Sequence, residues 1–135
     1  MRIKVFTDGG ARGNPGVAGY GVYMEDEKKN ILFEEAKFLG VKTNNEAEYL
    51  GLIGALDWIN SKAKEAEIEI YSDSQLLIRQ MQGKYKVKAE NLKKLWLIAQ
   101  NLCNNKKIIF KEIRREYNFR ADALANKAMD EKNEK

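Results

Sequence analysis

The order of apolar and polar positions divides the chain into nine predicted elements. Residues 2–8 read as a strand closing at Asp8. Gly9-Gly10-Ala11-Arg12-Gly13-Asn14-Pro15-Gly16, which holds the only proline, predicts a dense turn or loop. Residues 17–25, rich in Val, Tyr and Gly, predict a second strand, Glu25 to Asn30 a polar hairpin turn, and residues 31–39 a third strand. A loop from Gly40 to Asn45 leads into a helix capped by Asn44 and running to Lys62. Its apolar set Ala47, Leu50, Ile53, Ala55, Leu56 and Ile59 has helical spacing. Residues 68–73 predict a fourth strand. A short helix over 74–81 starts at Ser74, and Gly83 breaks it. The linker Lys84-Tyr85-Lys86-Val87-Lys88 precedes a helix over 90–103, a fifth strand over 107–113 and a last helix over 119–130. The tail 131–135 is expected to fray. Trp58, Trp96, Phe110 and the Leu/Ile stripe at 92–98 read as core, and Cys103 as a buried small apolar residue. The order β-β-β-α-β-α-α-β-α predicts an α/β sandwich built on one mixed sheet.

Composition narrows the chemistry. The 135 residues fit one domain over 1–135, large enough to bury a core without staples. There is no histidine and one cysteine, so Ser-His-Asp triads, Cys-His pairs, intrachain disulfides and Cys- or His-based metal sites are excluded within this chain. Catalysis would have to rest on carboxylates, lysine, tyrosine, hydroxyls or a metal held by oxygen. No apolar run approaches the roughly 18 residues of a membrane span. With no export signal visible, a reducing cytoplasm is the expected compartment. The net charge of +4 is unevenly spread: residues 79–115 hold eleven Lys/Arg against two Glu, a net of +9, and the remainder is net −5. That basic third suits either a polyanion-binding face or a solvated, lysine-rich helix surface.

Four acids stand out by position. Asp8 and Asp73 close strands one and four, where open α/β sheets place their sites. Glu48 and Asp122 lie on the first turns of helices that can face the same edge. Clustered carboxylates resist joint ionisation without a counter-charge, and oxygen-only ligation suits Mg²⁺ or Mn²⁺. From position alone, four unrelated acids serving as caps and surface charges remain the other reading.

The motifs narrow the choice. Thr7-Asp8-Gly9-Gly10-Ala11-Arg12-Gly13-Asn14-Pro15-Gly16 resembles the opening motif of the type I ribonuclease H family. Thr43-Asn44-Asn45-Glu46-Ala47-Glu48 resembles its second motif, Tyr71-Ser72-Asp73-Ser74-Gln75 its third, and Asn118-Phe119-Arg120-Ala121-Asp122-Ala123-Leu124-Ala125 its fourth. Together they span about residues 2–130. The resemblance implies a ribonuclease H-like fold, a five-stranded mixed sheet flanked by helices. It implies a monomeric endonuclease that cuts the RNA strand of RNA–DNA hybrids and leaves 5′-phosphate and 3′-hydroxyl ends, with duplex RNA as a further candidate substrate. Two divalent ions, Mg²⁺ with Mn²⁺ as the alternative, would be held by Asp8, Glu48, Asp73 and Asp122. Glu46 reads as a solvent-facing charge at the helix start. The backbone around Gly13 and Asn14 resembles the segment that contacts RNA 2′-hydroxyls. Asn44, Asn45 and Gln75 resemble minor-groove contacts, and Thr43 a DNA-phosphate contact. Two departures stand out. The basic protrusion of longer relatives is missing, which leaves grip to Lys84, Lys86, Lys88, Lys93 and Lys94. The histidine that many relatives carry before the last helix is also missing. This matches the short branch, in which an arginine, here Arg115, stands seven residues before the last Asp. A surface salt bridge to Glu112 or Glu116 is the other reading of Arg115.

Overall fold

The computed structural model describes residues 1–131. The strands are β1 (Arg2–Arg12), β2 (Gly16–Glu25), β3 (Ile31–Lys42), β4 (Glu67–Ser72) and β5 (Ile108–Glu112). The helices are α1 (Asn44–Lys62), α2 (Gln75–Met81), α3 (Glu90–Leu102) and α4 (Phe119–Asp130), with a 3-10 turn at Arg115–Tyr117. One mixed sheet holds all five strands in the order β3-β2-β1-β4-β5. The hairpin-linked strands β1, β2 and β3 pair antiparallel, and the helix-linked pairs β1–β4 and β4–β5 run parallel. Short turns can only return a strand antiparallel, and parallel neighbours need a crossover. The expected element order and mixed sheet are therefore found. The tail expected to fray begins at Glu131, which serves as the C-cap of α4; residues 132–135 lie outside the described residues.

β2 lies between β3 and β1, and every residue from Ala18 to Glu25 is buried. A strand covered on both faces loses polar alternation. On one face Tyr20, Val22 and Met24 join Ile3, Val5, Ile68 and Ile70 against Leu52, Leu56 and Ile59 of α1. α3 packs behind α1, so α1 buries more than one stripe. Leu52 is fully buried and Leu50 and Ile53 only half-buried, a redistribution that single-face spacing does not predict. α3 itself corrects the expected apolar stripe. Leu92, Leu95, Trp96, Ala99 and Leu102 turn inward at helical spacing, which leaves Leu97 and Ile98 on the exposed side. Trp58 stacks on Phe33 with ring centroids 5.3 Å apart, Phe110 packs against the same core, and Cys103 is a half-buried free thiol.

The loop expected over 9–16 shrinks to residues 13–15. Gly9 and Gly10 continue β1, opposite Tyr20 and Gly19. Gly9 permits close approach rather than a turn: a Cβ there would fall inside the Ala47 carbonyl carbon of α1. The cap of α1 is Thr43 rather than Asn44. Thr43 Oγ1 accepts from the Glu46 amide at 3.1 Å, and Glu46 Oε1 accepts from the Thr43 amide at 2.9 Å, a complete capping box. Glu46 is therefore half-buried and tied to the cap. Its hydrogen bond from Thr43 holds the carboxyl below its usual pKa.

The other face of the sheet carries α4, which presents Ala121, Ala125 and Ala128 to it, all buried. Opposite them, Gly21 has no room for a side chain: a Cβ would meet the Ala121 carbonyl oxygen and lie 2.6 Å from Leu124 Cβ. Small residues on both sides let this helix lie close to the sheet. Gly21→Ala is expected to push α4 outward and lower stability by about 1–3 kcal/mol, read as a reduced denaturant midpoint at unchanged m-value. Unchanged stability would show that α4 can shift freely.

Candidate active site

The β1–β4 register places the first two acids. Arg2 pairs with Glu67 and Phe6 with Tyr71. Two residues further on, Asp8 and Asp73 stand level at the carboxyl end of this parallel ladder. Asp73 sits in the bend immediately after β4. The Gly9 close approach brings the start of α1 to the same edge, where the Gly9 amide donates to Glu48 Oε1 at 2.9 Å. Asp8, Glu48 and Asp73 each offer a carboxylate oxygen, and these oxygens all lie within 4.8 Å of one another. Asp122, on the first turn of α4, lies outside that triplet but lines the same cleft, with its carboxyl against Asp8.

The cleft has a volume of about 450 Å³, and its wall also includes Arg12, Asn44, Asn45, Arg115 and Asn126. Crowding shows in the acids' proton affinity. Burial first, then the charge of Asp73 and the contact with Asp122, pushes the Asp8 carboxyl up to about 8, with Arg115 opposing. Glu48 is likewise raised well above the usual carboxylate range by burial of its carboxyl and by the charges of Asp8 and Asp73. A site that penalises its own negative charge fits a divalent cation, and all-oxygen donors fit a hard one.

Arg115 is brought here by the chain end of β5. The Ile113 amide donates to Ser72 O at 2.9 Å, and the following 3-10 turn projects the guanidinium over Asp73, Nε to Oδ2 at 3.7 Å. Its ion partner is thus Asp73, not Glu112 or Glu116. The Arg115 side chain is 81% exposed, so the pair itself contributes little to stability.

The remaining expected residues divide into two groups. Asn44 and Asn45 line the cleft. Asn44 Oδ1 accepts from the Ala11 amide at 2.6 Å, and Asn14 Oδ1 accepts from the Asn44 amide at 3.0 Å, so the turn holding Gly13 (φ +104°) and Asn14 is clipped to α1. Thr43 serves the cap. Gln75 is exposed, and with its amide oriented to satisfy both groups Oε1 accepts from Arg79 at 2.8 Å. Lys84, Lys86 and Lys88 are exposed on the 82–89 loop and do not line the acidic cleft. Lys86 instead edges a groove of about 380 Å³ with Tyr85, Val87, Lys93, Trp96 and Leu97.

Sequence reading missed three residues here. Arg12 pairs with Asp130 at 2.6 Å, and Asn126 Nδ2 donates to the Asp122 carbonyl at 3.0 Å. Asn118 donates to Asp73 Oδ1 at 3.0 Å. Its place immediately before a helix signals only a cap.

Asp8 carries a folded pKa above its unfolded value. Its contribution to metal-free stability is fully present below about 4 and is lost as pH rises through about 8. In EDTA, Asp8→Asn is therefore expected to melt higher than the parent at pH 8, with the gap closing toward pH 4 and narrowing when millimolar Mg²⁺ is added. A variant that melts lower at pH 8 would make Asp8 a structural residue.

Comparison with known proteins agrees with the site. A sequence family described as reverse transcriptase-like matches residues 6–128. A bifunctional protein of Mycobacterium tuberculosis is 42% identical over 96% of this chain, which spans only 36% of that protein's length. A protein of Ruthia magnifica named ribonuclease H is 33% identical, with 96% of each chain covered. An RNase H1 isolated from compost, solved in complex with an RNA/DNA hybrid, superposes with a TM-score of 0.90 at 45% identity, covering 96% of this chain and 98% of that one. On fold, sequence and the order of its motifs, the chain belongs to the type 1 ribonuclease H family.

Proposed function

We propose that this chain is a metal-dependent endoribonuclease that hydrolyses the RNA strand of RNA–DNA hybrids and leaves 5′-phosphate and 3′-hydroxyl ends. The observation that carries this reading is the convergence of Asp8, Glu48 and Asp73 within 4.8 Å in a chain without histidine. In the proposed site Asp8, Glu48, Asp73 and Asp122 hold two divalent ions, Mg²⁺ or Mn²⁺. Such a pair, when bound, supplies an activated water and charge compensation at the leaving oxygen of a phosphodiester. The chain's own residues set where this happens. The Gly9 amide fixes Glu48, the strand register fixes Asp8 against Asp73, and α4 delivers Asp122.

Substrate recognition is assigned to the rim. A 2′-hydroxyl distinguishes RNA from DNA, and the Gly13–Asn14 turn is the proposed reader, with the complex of the compost enzyme supporting a hybrid as ligand. Among the described residues the Asn44 side chain bonds through its oxygen alone, which leaves its amide protons for the minor groove beside Asn45. Gln75 is assigned to the same groove. Thr43 accepts a bond in its cap but keeps its hydroxyl proton, suiting a DNA phosphate. Lys84, Lys86 and Lys88 add the electrostatic grip.

Asp73→Asn is expected to abolish cleavage of a labelled hybrid while hybrid binding persists. Parallel lanes with duplex RNA, duplex DNA and single-stranded RNA, each with and without EDTA, define the substrate. Cleavage that survives EDTA, or activity retained by Asp73→Asn, would overturn the proposal.

Arg115 offers a cation beside Asp73 in a chain that has no histidine. A guanidinium is a poor proton donor by residue type. Its planar fork suits a phosphate oxygen, and its exposure leaves it free to swing from Asp73 to the scissile or product phosphate. Arg115→Ala is expected to lower kcat about tenfold, equivalent to about 1.4 kcal/mol of barrier, with KM changed far less. Arg115→Lys should recover part of the loss. An unchanged kcat in steady-state assays would leave Arg115 as an ion-pair partner of Asp73 alone.

A further inference from the structure

Asn118 stands at the N-cap of α4, yet its side chain makes no capping bond. The residue is 1% exposed and turns its amide toward the acids. Nδ2 donates to the Thr7 carbonyl at 2.9 Å and to Asp73 Oδ1 at 3.0 Å. A primary amide has two N–H donors, and both are used. The orientation has no alternative, because a reversed amide would set its oxygen against two acceptors. Asn118 Oδ1 has no hydrogen-bond partner among the described residues. A buried amide with an orphaned oxygen is costly, so a residue selected only to fill this space would be apolar. The main chain adds two more ties: the Asn118 amide donates to Arg115 O at 2.9 Å, and its carbonyl accepts from the Asp122 amide at 3.0 Å.

We propose that Asn118 is a positioning residue that orients the Asp73 carboxylate for cation binding. The bond to Oδ1 fixes the plane of the carboxylate against the end of β1 and leaves Oδ2 free of it. The same residue bonds Thr7 next to Asp8, the turn that carries Arg115, and the helix turn that carries Asp122. One buried amide thereby sets the spacing between the strand-borne and helix-borne parts of the site. Partners that orient metal ligands from behind typically change cation affinity when removed. This inference rests on the metal-dependent reading above.

The test is calorimetric titration of the full chain with Mg²⁺ and Mn²⁺. Asn118→Ala and Asn118→Leu, the latter of similar volume but without donors, are compared with the parent. Each is expected to bind cation about 10–100-fold more weakly, with Asn118→Leu keeping its melting temperature in EDTA. Under saturating hybrid, kcat should fall while KM stays near the parent's. In the unmodified protein, the Asn118 side-chain amide protons should exchange slowly with solvent, and the ¹⁵Nδ2 resonance should move during Mg²⁺ titration. Parent-like cation affinity in a folded variant would overturn the proposal. If neither variant folds, a ¹⁵Nδ2 resonance unmoved by Mg²⁺ would overturn it. Absence of cation binding by the parent would instead sink the metal-dependent reading itself, and this inference with it.

Discussion

Three carboxylates whose oxygens lie within 4.8 Å repel one another, and they stay together only because their backbones cannot move apart. Asp8 and Asp73 are locked by the parallel register of β1 and β4. Glu48 is locked by the start of α1, pressed onto β1 at Gly9. These attachments belong to the core rather than to loops. Hydrophobic burial around β2 thus supplies the free energy that holds an electrostatically unfavourable cluster, which then favours whatever brings positive charge.

The two faces of the sheet contribute differently. The α1 face carries the large apolar residues, Leu52, Leu56, Ile59, Tyr49, and most of the core. The α4 face is built from alanines over a glycine-bearing strand. Bulk on one side gives stability, and smallness on the other gives proximity, so that a helix-borne acid can reach strand-borne ones. Glu48 and Asp122 reach one edge from opposite faces for this reason.

Much of this was legible in the sequence where local pattern and chemistry coincide. Asp8 and Asp73 follow runs of strand residues, Glu48 and Asp122 fall on first helical turns, and the lack of histidine narrows the chemistry toward groups such as these. Where sequence and structure part, a residue's local meaning is overridden by its neighbours in the fold. Gly9 and Gly10 read as a turn, because the helix whose approach requires Gly9 comes from more than thirty residues away. By residue type Asn44 outranks Thr43 as a cap, and what decides for Thr43 is its partner Glu46. Leu97 and Ile98 look like core by apolar type, but helical phase turns them outward. Asn118 was hidden by an ordinary role, since an asparagine before a helix needs no further explanation until its side chain is seen pointing elsewhere.

The clip between the β1–β2 turn and α1 has a geometric consequence. Asn14 and Asn44 tie the turn to the first residue of the helix, and Glu48 lies one helical turn further along. On the proposed reading, the part of the protein that senses a ribose hydroxyl and the part that anchors the cutting chemistry form a single stiff caliper. Its span does not depend on nucleotide sequence. The scissile bond would then fall at a constant offset from the recognised sugar.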